Sequence, residues 1–292
     1  MKRPLAVAAL LAIGVTTAAG YVANRSFRSE LRELAPAAAS DLLTQPEALR
    51  IPGLRNVDFE AAGNDIAGWF VPPRNGAAVV LLHGTNSDRS EVVWELRALA
   101  RAGFGVLAFD WPGQGLSEGE EHWGSDERAA LTTAVDWLDL EPGVDPGRIG
   151  AYGFSNGGYI LAQVAGGDRR IRAVVLAATP TDIADETRWE FRRYGLLSEM
   201  PALWAMRVAG VPQHDLTAKQ AIASISPRPV LVLGGTADQT VPEVMVRDLF
   251  SAAREPKELW LVAGARHGGY DRVSPDPYAA TLVDFFTRSL LK

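Results

Sequence analysis

The chain has 292 residues, 47% of them apolar, with a formal net charge of -6 and no cysteine, which suits one large α/β domain or two small ones built on a sizeable core. The acidic balance argues against non-specific nucleic-acid binding, which needs a basic face. The lack of cysteine removes disulfides, thiolate metal sites, a cysteine nucleophile and a cysteine-linked lipid anchor, and leaves the redox compartment open.

The N-terminus carries a targeting pattern. Met1-Lys2-Arg3 is basic, and Leu5 to Ala23 holds no charged residue, a run long enough to span the apolar core of a bilayer. Residues 1–25 are expected to be an uncleaved membrane anchor or a secretory signal, so that the protein is membrane-anchored or exported. Thr17-Ala18-Ala19 is a weak cleavage site, which favours the anchor. Arg25, Arg28 and Arg32 alternate with Glu30 and Glu33, so charge does not fix the orientation. Residues 26–54 read as a linker with a peripheral helix.

The main domain is expected over 55–292. Val57 to Glu60 and Ile66 to Val71 read as two strands of a hairpin turned by Gly63-Asn64. Ala77 to Leu82 is an unbroken apolar run, the mark of a strand buried on both faces. A helix follows over Arg89 to Arg101, with Val92, Val93, Leu96, Leu99 and Ala100 on one face. Phe104 to Phe109 is the next strand, and Glu127 to Leu140 the next helix. Arg148 to Tyr152 is a short buried strand, and Gly158 onward opens a helix. Ile171 to Ala177 is another apolar strand. Residues 179–226 carry Trp189, Phe191, Tyr194, Trp204 and Met206 among charged residues, with no strand pattern, and read as a helical insertion. Pro229 to Leu233 resumes the strands, followed by a helix over Glu243 to Ala253, a last strand over Leu259 to Val262 and a closing helix over Pro277 to Leu290. Apolar strands alternating with helices imply a mostly parallel sheet covered on both faces.

Between one strand and its helix stands Gly153-Phe154-Ser155-Asn156-Gly157. A serine flanked in this way by glycines, on a sharp strand-to-helix turn, is presented at the end of the sheet beside the free N–H groups of a helix N-terminus. Loops leaving the carboxyl ends of parallel strands converge on one crevice, and they bring His83-Gly84-Thr85, Ser155, Asp238 and His267 there. Ser155 is the expected nucleophile, His267 its general base and Asp238 the acid that orients the imidazole. The expected oxyanion donors are the backbone N–H groups of Asn156 and Thr85. His122 and His214 are weaker candidates for the base, and His83 is expected to fix its own turn. Asp182 is the rival acid, and Asp110 is expected to organise its own loop. No His or carboxylate pair stands at metal-ligand spacing.

The motifs His83-Gly84-Thr85, Asp110-Trp111-Pro112-Gly113-Gln114-Gly115-Leu116-Ser117, Gly153 to Gly157, Gly234-Gly235-Thr236-Ala237-Asp238 with Val241-Pro242, and His267-Gly268 together resemble the α/β-hydrolase superfamily, nearest its small esterases and serine peptidases. The resemblance implies an α/β-hydrolase fold in which residues 179–226 form a small helical cap. It also implies hydrolysis of an ester, thioester or amide through an acyl-serine intermediate, with no cofactor. The expected partner is a small-molecule acyl substrate; nucleic acid is excluded, and a membrane is met through the N-terminal segment alone. The leading expectation is a carboxylic-ester hydrolase. The alternatives are a serine peptidase or amidase, and a non-catalytic ligand-binding protein on the same fold. A serine at the elbow argues against the dehalogenase and epoxide-hydrolase branches, which need a carboxylate there.

Overall fold

The computed structural model describes residues 43–120, 124–192, 196–208, 211 and 216–292. Eight strands form one sheet: β1 (Arg55–Ala61), β2 (Asn64–Val71), β3 (Ala78–Leu82), β4 (Gly105–Phe109), β5 (Ile149–Phe154), β6 (Ile171–Ala177), β7 (Val230–Gly235) and β8 (Lys257–Val262). Their spatial order is β1-β2-β4-β3-β5-β6-β7-β8. β2 runs antiparallel to both of its neighbours, and every pairing from β4 to β8 is parallel. The expected doubly covered, mostly parallel sheet is the observed one.

The unbroken apolar runs are explained by where alternate side chains go. Val80 and Leu82 of β3, Ala151 of β5 and Val174 and Leu176 of β6 pack on one face, against α2 (Ser125–Leu140), α3 (Asn156–Gly167) and α7 (Glu243–Ala252). Val79 and Leu81, Tyr152 and Phe154, and Val175 pack on the other, against α1 (Val93–Arg101) and α9 (Pro275–Leu290). Strand side chains alternate with period two, so a strand covered on both sides has no polar position. Each fully buried Val or Leu contributes about 1.5–3 kcal/mol, and central β3 and β5 are buried throughout.

Some boundaries differ from the sequence expectation. The hairpin turns at Ala62-Gly63, both at positive φ, and Asn64 already belongs to β2. The helix expected from Arg89 starts as a 3-10 turn over Arg89–Val92, because Asp88 accepts the Ser90 N–H at 2.8 Å and tightens the first turn. A one-turn helix not expected from the sequence, α8 (Tyr270–Val273), precedes α9. The stretch 179–226 holds α4 (Ile183–Arg192), α5 (Leu196–Val208) and α6 (Ala218–Ala221), with no strand among its described residues.

The predicted N-terminal anchor or signal, residues 1–25, lies outside the described residues, as does most of the linker. Among the described residues no helix is long and apolar enough to cross a membrane.

Candidate active site

Ser155 is the single residue between β5 and α3, and its backbone sits at φ 52° and ψ -120°. A positive φ in a residue with a β-carbon is strained and persists only where the surroundings enforce it. They do so here on both sides. The Ser155 N–H donates to Ala177 O at 2.8 Å, and the Tyr159 N–H to Ser155 O at 3.1 Å. A β-carbon on Gly153 would lie 2.5 Å from Gly157 O, and one on Gly157 would lie 2.5 Å from His83 O. Glycine is required at both positions because backbone meets backbone there.

His267 follows β8 on a loop whose next two residues, Gly268 and Gly269, take φ values of 73° and 68°. That left-handed pair, cheap only for glycine, turns the chain so that the imidazole swings back over the end of β5, 5.0 Å from the Phe154 ring. His267 Nε2 lies 3.0 Å from Ser155 Oγ. Nδ1 lies 2.9 Å from Asp238 Oδ2. With the carboxylate accepting at Nδ1–H, the neutral ring leaves Nε2 bare toward the serine hydroxyl. Asp238 stands on the loop after β7, its side chain fully buried. Its second oxygen accepts the N–H groups of Thr240 at 2.8 Å and Val241 at 2.9 Å.

The competing residues have other partners. Asp182 accepts the Ala184 N–H at 2.7 Å and caps α4. Asp110 accepts the N–H groups of Leu116 at 2.8 Å and Arg89 at 2.7 Å, and pairs with the Arg89 guanidinium in full burial. His83 is buried, and its Nε2 accepts the Trp111 N–H at 3.2 Å. The proton is therefore on Nδ1, which donates to Gly84 O at 2.8 Å. Burial pushes this imidazole down to about 4, so it is a neutral brace for its turn. His122 and His214 lie outside the described residues.

The two expected oxyanion residues lie on segments beside Ser155. Asn156 opens α3, where the first N–H groups have no acceptor within the helix. Thr85 follows Gly84, and a β-carbon on Gly84 would lie 3.3 Å from Ser155 Cβ. The loop after β3 therefore passes close beside Ser155.

Two carboxylates near the histidine were not singled out by sequence reasoning. Glu91 lies in the turn before α1, and its Oε2 accepts the Gly84 N–H at 2.7 Å. Burial pushes its carboxyl up, against the pull of Gly84 and of His267. Glu186 comes from α4 on the cap side, and burial pushes it up to about 7 despite the charge of His267. Burial pulls His267 itself down, but the hydrogen bond and charge of Asp238, with the charges of Glu186 and Glu91, outweigh it and leave the imidazole above its ordinary value. In the sequence both glutamates look like ordinary polar positions of helices; only tertiary packing brings them to the histidine.

Beside His267 a cleft of about 660 Å³ is lined by Glu91, Trp94, Phe154 and Tyr270 among others. The cap reaches the acid's loop through Trp189, whose Nε1–H donates to Gln239 O at 3.0 Å.

A family model described as X-Pro dipeptidyl-peptidase (S15 family) matches residues 16–227, a span that includes Ser155 and stops short of Asp238 and His267. The uncharacterized protein YfhR of Escherichia coli (strain K12) is 30% identical over 250 residues, which are 80% of this chain and 81% of that protein. The Pyrococcus furiosus esterase Pf2001 superposes with a TM-score of 0.72 at 22% identity, covering 84% of this chain and 94% of that one. The α/β hydrolase GrgF from Penicillium sp. sh18 superposes with a TM-score of 0.68 at 21% identity, covering 82% of this chain and 99% of that one. At these identities the two structures establish a shared fold.

Proposed function

The chain belongs to the S15 family of serine hydrolases on the α/β-hydrolase fold, and from that premise we propose that it cleaves a carboxylic ester through an acyl-serine intermediate. Ser155 is the nucleophile, His267 the general base and Asp238 the orienting acid. The observation that carries this reading is the unbroken line from Asp238 Oδ2 to His267 Nδ1 at 2.9 Å and from His267 Nε2 to Ser155 Oγ at 3.0 Å.

The chemistry follows from those contacts. His267 Nε2 takes the hydroxyl proton as Ser155 Oγ adds to the ester carbonyl, and Asp238 steadies the imidazolium that forms. The N–H groups of Asn156 and Thr85 receive the negative charge on the carbonyl oxygen; a donor of this kind is worth roughly 3 kcal/mol in the transition state. The C–O bond to the alcohol then breaks, and His267 returns the proton to the departing alkoxide. Water, activated by the same imidazole, adds to the acyl-serine and releases the acid.

A peptidase or amidase reading is favoured by one observation, the description of the matching family model as an X-Pro dipeptidyl-peptidase. It uses the same residues, with His267 protonating a departing amine.

The test is hydrolysis of p-nitrophenyl esters of increasing acyl length by wild type and Ser155→Ala, with dipeptidyl p-nitroanilides carrying proline in the second position run in parallel. Ester turnover that vanishes with Ser155 supports the proposal. Turnover of the anilides alone moves the assignment to the peptidase. Failure of Ser155 to react with a fluorophosphonate leaves the non-catalytic binding protein. We further propose that the run from Leu5 to Ala23 tethers the domain to a membrane or exports it; membrane-bound protein that retains Met1 would exclude cleavage.

A further inference from the structure

An oxyanion donor works only if its peptide plane is held at the right angle before the substrate arrives, because reorienting it during the reaction would cost what the hydrogen bond returns. The loop carrying Thr85 is braced by His83, which donates to Gly84 O and accepts the Trp111 N–H. A second brace is a carboxylate: Glu91 Oε2 accepts the Gly84 N–H at 2.7 Å. A hydrogen bond to an ionised acceptor is about twice as strong as a neutral one. The Ser87 side chain also hydrogen-bonds Glu91, so the carboxylate gathers two points of the same loop.

The turn that carries Glu91 is itself fixed. Asp88 caps it through the Ser90 N–H at 2.8 Å. The Arg89 N–H donates to buried Asp110 at 2.7 Å, and the Arg89 guanidinium pairs with the same carboxylate. Carboxylate, loop and nucleophile then meet around one glycine: a β-carbon on Gly84 would lie 3.3 Å from Glu91 Oε2 and 3.3 Å from Ser155 Cβ. Glu91 also lines the cleft beside His267.

We propose that Glu91 is a positioning residue of the active site, holding the His83-Gly84 peptide, and with it the turn that leads into Thr85, so that the Thr85 N–H meets the developing oxyanion, and adding negative charge beside the His267 imidazolium. The proposal rests on the reading of Ser155 as nucleophile and deepens it. Three carboxylates face His267: Asp238 from the loop after β7, Glu186 from α4, and Glu91. Glu91 in turn faces His267 and Asp88.

The experiment compares Glu91→Ala, Glu91→Gln and Ser155→Ala in the full chain. It reads kcat, KM and the pH profile on a p-nitrophenyl ester, and the rate of fluorophosphonate labelling, with thermal unfolding as a check on folding. A full oxyanion donor is worth about 100–1,000-fold in kcat, so misorienting one is expected to cost Glu91→Ala about 10–100-fold in kcat and in labelling rate with little change in KM. Glu91→Gln keeps an amide oxygen for the Gly84 N–H and is expected to recover most of that loss, while its acid limb moves to lower pH because one negative charge beside His267 is gone. A folded Glu91→Ala with wild-type kcat and labelling overturns the proposal. So does a Glu91→Gln as slow as Glu91→Ala, or one whose acid limb stays in place, and that last readout holds even where the alanine variant does not fold. Ser155→Ala separates the two levels. If it retains turnover, the nucleophile assignment has failed; if it abolishes turnover while Glu91→Ala is unaffected, only the role of Glu91 has.

Discussion

Asp238 meets His267 with one carboxylate oxygen and its own loop with the other: Oδ2 lies 2.9 Å from Nδ1, while Oδ1 accepts the N–H groups of Thr240 and Val241. The loop hydrogen bonds to Oδ1 are what aim the oxygen that faces His267. Because Oδ1 is held by two backbone donors, the carboxylate cannot rotate, and Oδ2 has a single direction left toward the imidazole.

Asp238→Asn therefore separates the two uses. The asparagine oxygen can still accept from Thr240 and Val241, so the loop is expected to keep its place. The amide group then presents toward Nδ1 and favours the wrong imidazole tautomer, which costs about 10,000-fold in kcat in a comparable triad. Asp238→Ala removes both uses and is expected to lose the two loop hydrogen bonds as well, at about 1 kcal/mol of stability each. Paired kcat and thermal-unfolding measurements on the two variants check this: a drop in activity with unchanged melting for asparagine, and a drop in both for alanine.

The pH dependence follows from the charges around His267. The imidazole must be neutral to take the Ser155 proton, so activity falls as pH falls through its pKa. The partners Asp238, Glu186 and Glu91 raise that pKa, which places the acid limb of kcat/KM above the ordinary histidine value of about 6.5. Glu186, pushed up to about 7 by burial, carries part of that charge across the limb, and Glu186→Gln is expected to shift the limb modestly toward lower pH. A limb at or below the ordinary value in the wild type would show that burial, not the carboxylates, governs the group.

The elbow glycines give a steric prediction. A β-carbon on Gly157 would press against two carbonyl oxygens, His83 O at 2.5 Å and Leu82 O at 2.6 Å. Neither can move without shifting β3, the strand that carries the oxyanion loop. Gly157→Ala is expected to destabilise by about 1–3 kcal/mol or more, the range for overpacking in a rigid site. Activity is expected to fall further than stability, because the displaced loop bears Thr85. Fluorophosphonate labelling of the folded fraction distinguishes this from simple unfolding.

The parts legible in the sequence are those fixed by local pattern. Unbroken apolar runs give the doubly covered strands, since a strand buried on both faces has no polar position, and glycines placed around Ser155 give the elbow. The order of Ser155, Asp238 and His267, after β5, β7 and β8, identifies which loops meet. What the sequence hides depends on distant packing. Arg89 stands at the start of an expected helix, where its charge suggests solvent, yet it is 1% exposed because Asp110 and the carbonyls of Ala67 and Leu43 surround it. Glu91 and Glu186 look like solvated helix positions, and nothing local marks them as neighbours of His267. The Ala62-Gly63 turn was misplaced by one residue because alanine rarely takes the positive φ it has there.

The last prediction concerns a buried acid beneath the elbow strand. Glu95 of α1 is 7% exposed, and its Oε1 accepts from Tyr278 Oη of α9 at 2.6 Å and from Tyr152 Oη of β5 at 3.3 Å. Its Oε2 has no hydrogen-bond partner among the described residues. Burial pushes the carboxyl up to about 7, and the two tyrosine hydroxyls only partly offset it. In the unfolded chain a glutamate titrates at about 4.3. Between those two values the folded state holds a proton that the unfolded state has released, so stability falls as pH rises through the window and levels off above it. The contribution is fully present below the unfolded value, and its loss amounts to at most about 4 kcal/mol, at 1.36 kcal/mol per pKa unit. Glu95→Gln keeps an oxygen for the tyrosines and cannot ionise. Its melting temperature relative to wild type is therefore expected to rise steadily between pH 5 and pH 7 and to level off by pH 8. A difference that stays flat across that range would mean that Glu95 ionises as an ordinary carboxylate, and that the tyrosine pair fully offsets its burial.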